Sequence, residues 1–220
     1  MSDRTVKVTG KGALSVKPDQ IRLRLDLTGS MPSYEDTVRI SSEQVEALKD
    51  IFEGLGFARS DLKTVHFDID TNYESYQTPD KAWKKRFVGY EFTHNLKVEF
   101  DADNELLGKV LYALSKSQIR PEFRIEYTVK DIEASKNELL ARAVADSRAK
   151  AEVLTKAAGV TLGEIKTIDY SWGEVDFSIA PMEKKMMLAE SAPSYGSYNM
   201  DIEPEDIDVT DTVTVVWKIY

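Results

Sequence analysis

Two hydrophobic periods alternate along the chain. In ALSVKPDQIRLRLDLTG (13–29), Ile21, Leu23, Leu25 and Leu27 oppose Arg22, Arg24, Asp26 and Thr28. Successive side chains of an extended chain leave opposite faces, so this pattern predicts a half-buried strand, with Pro18 and Asp19 at a kink or edge. Period two returns in TVKVTG (5–10), DLKTVHFDID (61–70), GYEFTHNLKVEF (89–100), EFRIEYTVKD (122–131), GEIKTIDYSWGE (163–174) and DVTDTVTVVWKIY (208–220). The inward sets are Val65, Phe67 and Ile69; Tyr90, Phe92, His94, Leu96, Val98 and Phe100; Phe123, Ile125, Tyr127 and Val129; and Val213, Val215, Trp217 and Ile219. YESYQTPDKAWKKR (73–86) separates two of these strands and reads as the long tip of an antiparallel pair.

Helical spacing fills the intervals. Ser33 and Asp36 form a capping-box-like start, after which Val38, Val45, Leu48, Phe52 and Leu55 recur at helical spacing until Gly54 or Gly56. DNELLGKVLYALSKS (103–117) is a second helix, apolar at Leu106, Leu107, Val110, Leu111 and Leu114. A third runs from about Ile132 to Ala158 and stops at Gly159, with a stripe of Leu140, Val144, Ser147, Ala151, Leu154 and Ala158. Gly10 and Gly12, in GKG, lack the spacing of a phosphate-binding loop and read as a turn. Strands greasy on one face only belong to antiparallel sheets with a solvated side. The predicted class is α+β: an antiparallel β-sheet with three helices packed on one face, in a single domain over 1–220. A long irregular segment at about 175–207, rich in Ser, Pro, Gly, Glu and Asp, carries Met182, Met186, Met187 and Met200.

Composition narrows the function classes. With 220 residues and 42% hydrophobic content the chain can bury a sizeable core. Its net charge of −9 argues against a broad nucleic-acid face, which needs clustered Lys and Arg. Cysteine is absent, which excludes disulfides, zinc thiolates and thiol nucleophiles. MSDRTVKVTG has no apolar leader core, and no apolar run approaches the ~18–20 residues that span a bilayer. The expectation is a soluble, cytoplasmic protein with no membrane insertion and no nucleic acid partner.

Candidate chemistry is sparse. His94 lies among large apolar residues with no nucleophile motif beside it, and reads as an interior imidazole bonded to a neighbouring backbone group or hydroxyl. His66, Asp68 and Asp70 share one strand face at a spacing of ~6.5–7 Å. That is too wide to grip a metal unless Glu91, Lys97 or Glu99 on a neighbouring strand joins; a solvated, salt-bridged face is the alternative. No metal and no cofactor is expected. Trp83 with Lys84, Lys85 and Arg86 forms a short aromatic and basic cluster that could meet a partner, anionic lipid or nucleic acid; a solvated loop is the plainer reading of one short basic cluster in an acidic protein. Met182, Met186 and Met187 belong to a segment whose adaptable side chains suit packing on a neighbouring subunit; plain disorder is the alternative.

Four stretches resemble one family in order and spacing: VTGKGALSVKPDQIRLRLDL (8–27), GYEFTHNLKVEF (89–100), ELLARAVADSRAKAEVLTKAAGVTLGEI (138–165) and EPEDIDVTDTVTVVWKI (203–219). Together they resemble the SIMPL-domain family of bacterial and eukaryotic signalling proteins. The resemblance implies a SIMPL-like α+β fold, no established catalytic centre and oligomeric rings in some members. It also implies export in many bacterial relatives and a stress- or envelope-related role. The reading is therefore a non-enzymatic homo-oligomer, with TVKVTG or TVTVVWKIY offering a sheet edge for pairing. Two alternatives stand beside it: a partner-binding scaffold using the Trp83 loop or the 175–207 arm, and a metal- or ligand-binding protein centred on His66.

Overall fold

The structure, a computed structural model, describes residues 4–170, 175–180 and 202–220. Its elements run β1 (Thr5–Val16), β2 (Gln20–Met31), α1 (Tyr34–Gly54), a 3-10 turn (Arg59–Asp61), β3 (Lys63–Gln77) and β4 (Trp83–Asp101). They continue with α2 (Asn104–Lys116), β5 (Glu122–Thr128), α3 (Ile132–Ala158), β6 (Leu162–Tyr170), β7 (Ser178–Ile179) and β8 (Ile207–Ile219). The α+β class with antiparallel sheets holds. The strands divide between two sheets rather than joining one, and the chain forms two compact units.

The first unit contains β1, α3, β6, β7 and β8. Its three-stranded sheet has the order β1-β8-β6, and β1 pairs with β8 without a register break from Thr5↔Lys218 to Val16↔Ile207. Alternate residues Ile207, Val209, Val213, Val215 and Trp217 of β8 are buried, as period two requires. Helix α3 packs on β1 and β8 through Leu139, Ala143, Ser147, Ala151 and Thr155, a strict four-residue stripe.

That stripe departs from the expected one. Leu154 is 51% exposed, while small or hydroxylated residues occupy the buried line. The reason is Gly10 and Gly12, which sit within β1 rather than in a turn. A Cβ on Gly10 would collide with the Ala143 carbonyl oxygen and the Ser147 backbone nitrogen; one on Gly12 would collide with the Leu139 carbonyl oxygen. Helix backbone therefore touches strand backbone, which large side chains on either element would prevent.

Close approach also lets α3 serve the open edge of β1. Lys11 N–H donates to Asp146 Oδ2 at 2.7 Å, Arg142 Nη1 to the Ala13 carbonyl at 3.0 Å, and Lys150 Nζ to the Thr9 carbonyl at 3.4 Å. Helix side chains thus occupy hydrogen-bonding groups on β1 that another strand would otherwise take. β8 is the central strand of this sheet. TVTVVWKIY therefore offers no edge, and TVKVTG lies on an outer strand whose edge α3 partly occupies, at Thr9, Lys11 and Ala13.

The ends of the segment expected to be irregular are ordered. Phe177 and Ile207 join Val129, Leu139 and Val209 in a buried cluster, and Thr128 Oγ1 donates to the Phe177 carbonyl at 2.8 Å.

The second unit contains β2 to β5, α1 and α2, with strand order β3-β4-β2-β5. Ile21, Leu23, Leu25 and Leu27 of β2 stand opposite Phe100, Val98, Leu96 and His94 of β4, on the face that α1 covers. Ser33 caps α1 by accepting from Asp36 N–H at 3.1 Å, as its spacing predicted. Asp103 does the same for α2, accepting from Glu105 and Leu106 N–H. β3 is the outer strand, so Val65 and Phe67, expected to be inward, are 52% and 45% exposed.

Replacing Gly10 with Ala is expected to cost about 3 kcal/mol or more, because two backbones must separate. Gly54→Ala, whose Cβ would meet open space, is expected to be neutral or slightly stabilising. Urea unfolding followed by circular dichroism measures both; equal midpoints for the two variants would contradict the close-contact account.

Candidate functional site

His94 lies on the helix-covered face of β4, between α1 and β3. Ser41 Oγ is 3.1 Å from its Nδ1 and Thr64 Oγ1 is 2.8 Å from its Nε2, so both ring nitrogens are engaged by hydroxyls. The ring also packs against Phe67, centroid to centroid 4.7 Å. A neutral imidazole matches this cage: one nitrogen donates, the other accepts. Burial, aided by the charge of Lys49, holds its pKa below the ordinary value. The arrangement links helix, central strand and outer strand, and neither hydroxyl partner belongs to a nucleophile motif.

The opposite face of this sheet is open and charged. Arg22 Nε meets Glu99 Oε1 at 2.7 Å, Lys97 Nζ meets the same oxygen at 3.3 Å, and Arg24 Nε meets Glu126 Oε1 at 2.7 Å. Burial raises the Glu99 carboxyl, but hydrogen bonds and charge from Arg22 and Lys97 outweigh it and leave the pKa low. Lys97 and Glu99 therefore act as salt-bridge partners on this face. Glu91 stands opposite Asp70 in the ladder.

His66, Asp68 and Asp70 do share a face, paired with Asn95, Thr93 and Glu91. They do not converge: among the described residues no group of three His, Asp or Glu side chains could hold a metal ion. His66 lines a shallow hollow of ~230 Å³ with Arg24, Asp26, Val65, Asn95 and Arg124. Two guanidiniums beside the imidazole oppose a cation there. Asp26 accepts from Asn95 Nδ2, and Asp68 Oδ1 accepts from the Ile69 N–H at 2.8 Å. These arginines were not legible as neighbours of His66, because only strand order brings β2 and β5 near β3.

Trp83, Lys84, Lys85 and Arg86 open β4 at the far end of the β3–β4 hairpin. Trp83 is 70% exposed, and Arg86 Nη2 pairs with Glu74 Oε2 at 2.7 Å. Behind them an aromatic series runs back along the hairpin. Tyr73 packs edge-on to Phe87 at 5.7 Å, Phe87 on Tyr90 at 5.3 Å, and Tyr90 on Tyr34 of α1 at 5.5 Å. A bulge between Asn72 and Tyr73 shifts the period there and concealed this series. Met182, Met186 and Met187 lie outside the described residues.

His94 makes stability pH-dependent. Its folded pKa lies below the ordinary 6.5, so the unfolded chain binds the proton first. Stability is full above that value and falls as pH drops through it. His94→Gln should shallow the loss of urea midpoint between pH 7 and 5. His94→Ala should cost about 1–3 kcal/mol at pH 7 by leaving the buried Ser41 hydroxyl unpaired. An unchanged pH slope in His94→Gln would remove His94 as the cause.

Comparison with known proteins adds a family and two relatives. The family described as "SIMPL: Protein of unknown function (DUF541)" matches residues 6–217. The chain is 26% identical over 207 residues to the 26 kDa periplasmic immunogenic protein of Brucella abortus, covering 90% of this chain and 82% of the relative. The protein of the same name from Brucella melitensis biotype 1 matches with the same identity and coverage. Both names place those proteins in the periplasm, which overturns the cytoplasmic location expected from the N-terminal residues. With the match running through both units, the chain belongs to the SIMPL family.

Proposed function

We propose that this protein is exported and works without catalysis, by self-association through the β6 edge of its first unit. The observation that carries the reading is an uncovered apolar strip. Ile165 and Ile168 of β6 stand opposite Trp217 and Val215, on the side of the sheet that faces α3. Helix α3 packs mainly on β1 and β8, leaving Ile165 and Ile168 41% and 52% exposed. Val153 and Leu154 of α3 add further exposed apolar surface.

Exposed apolar surface along an outer strand favours a partner. A second copy satisfies both the strand edge and the strip, and the family resemblance implies rings. Export is supported by the periplasmic names of the Brucella relatives. An envelope- or stress-related role is the corresponding physiological reading. The non-catalytic reading is supported by the hydroxyl cage around His94 and the salt-bridged open face, which leave those groups engaged with one another.

Mass photometry and sedimentation velocity of the wild-type chain are expected to give a multiple of 24.9 kDa. The double variant Ile165→Lys, Ile168→Lys should move toward the single-chain mass while keeping its circular dichroism spectrum. A single-chain mass for wild type at micromolar concentration, or an oligomer unchanged by the double variant, would refute this edge as the interface.

A further inference from the structure

We propose that the tip of the β3–β4 hairpin docks the protein on an anionic phospholipid surface, at headgroup depth and without spanning the bilayer. The inference goes beyond self-association and rests on a different element, in the other unit. The last pair between β2 and β4 is Met31↔Tyr90, and Pro32 follows with no backbone N–H to continue the ladder. Past that point, among the described residues, β3 and β4 pair only with each other, from Asn72↔Gly89 to Gln77↔Trp83. Six residues at ~3.3 Å each carry this ribbon roughly 20 Å beyond the end of β2.

The ribbon is amphipathic in a way suited to an interface. Cross-strand pairing sets Tyr73 against Phe87, Ser75 against Lys85 and Gln77 against Trp83. The alternate pairs are Glu74 with Arg86 and Tyr76 with Lys84. Each face therefore ends in an exposed aromatic beside a lysine. The turn is closed by Thr78 N–H donating to the Ala82 carbonyl at 2.9 Å and Lys81 N–H to the Thr78 carbonyl at 2.8 Å, so the end is preorganised.

At the tip Glu74 pairs with Arg86, which leaves Lys81, Lys84 and Lys85 against one carboxylate, Asp80, whereas the chain as a whole carries −9. An anionic sheet repels most of such a protein, and a projecting cationic tip is the part that can reach it. Tryptophan and tyrosine settle at the headgroup boundary, and lysines lay their stems along it while keeping their ammonium groups in water. Nucleic acid fits less well: it tracks along a basic groove over several nucleotides, and this cluster is one turn long.

The test is cosedimentation of the full chain with vesicles of phosphatidylglycerol and phosphatidylcholine in equal parts, against pure phosphatidylcholine. Wild type should bind the anionic vesicles, release in high salt and leave the neutral ones unbound. Each basic residue near the surface is worth about five-fold in affinity, so Lys84→Ala with Lys85→Ala should weaken binding roughly twenty-five-fold. Trp83→Ala should also weaken it, and the emission that this variant loses should be the part that shifts to the blue on vesicle addition. No binding, equal binding to both vesicle types, or unchanged binding by both variants would overturn the proposal. Tip-dependent binding to a single-stranded oligonucleotide without vesicle binding would overturn it in favour of nucleic acid.

Discussion

How closely α3 can approach β1 governs the first unit. Two glycines in the strand and a line of small residues in the helix bring backbone against backbone. At that distance Asp146, Arg142 and Lys150 reach polar groups on the outer side of β1. One contact thus buries apolar surface and occupies the middle of a sheet edge. Its asymmetry matters as much. A helix seated that tightly on β1 and β8 leaves apolar residues of β6 exposed on the same side of the sheet. The exposed apolar residues of β6 and the occupied groups of β1 are two results of a single placement.

The second unit is held by ordinary alternation, with one polar exception. The β2 and β4 inward rows pack under α1, and His94 interrupts the apolar row where the small Ser41 leaves it room and a partner. Thr64 closes the other side of the ring. A neutral imidazole so placed ties three elements together. The outward rows of the same strands form a ladder of ion pairs, and these partly buried pairs neutralise one another rather than awaiting a ligand.

Family membership and fold agree with a protein whose features for function lie in exposed surfaces. Two shallow hollows are the ~90 Å³ one among the charged side chains Asp61, Lys63, Lys97 and Glu99 and the larger one beside His66, whose lining mixes polar groups with Val65 and Leu96. Exposed apolar and aromatic groups include Ile165 and Ile168 of β6 and Tyr73, Tyr76, Trp83 and Phe87 of the projecting ribbon, beside others on α1, β3 and β5. Groups of this kind underlie both the proposed self-association and the proposed lipid contact.

The sequence by itself determined the element types, the helix cap at Ser33, the buried rows of β2, β4 and β8, and the α+β class. These follow from periodicity and local hydrogen bonding, which act over a few residues. It also carried the polar face of His66, Asp68 and Asp70. Tertiary structure alone decided that the strands form two sheets, that the α3 stripe runs through Ala143 and Thr155 rather than Val144 and Leu154, and that Gly10 and Gly12 are contact points within a strand. It alone set Arg24 and Arg124 beside His66 and blocked the edge of β1. Each of these depends on which elements become neighbours across many residues, and a one-dimensional pattern records which side of an element is buried but not what lies against it.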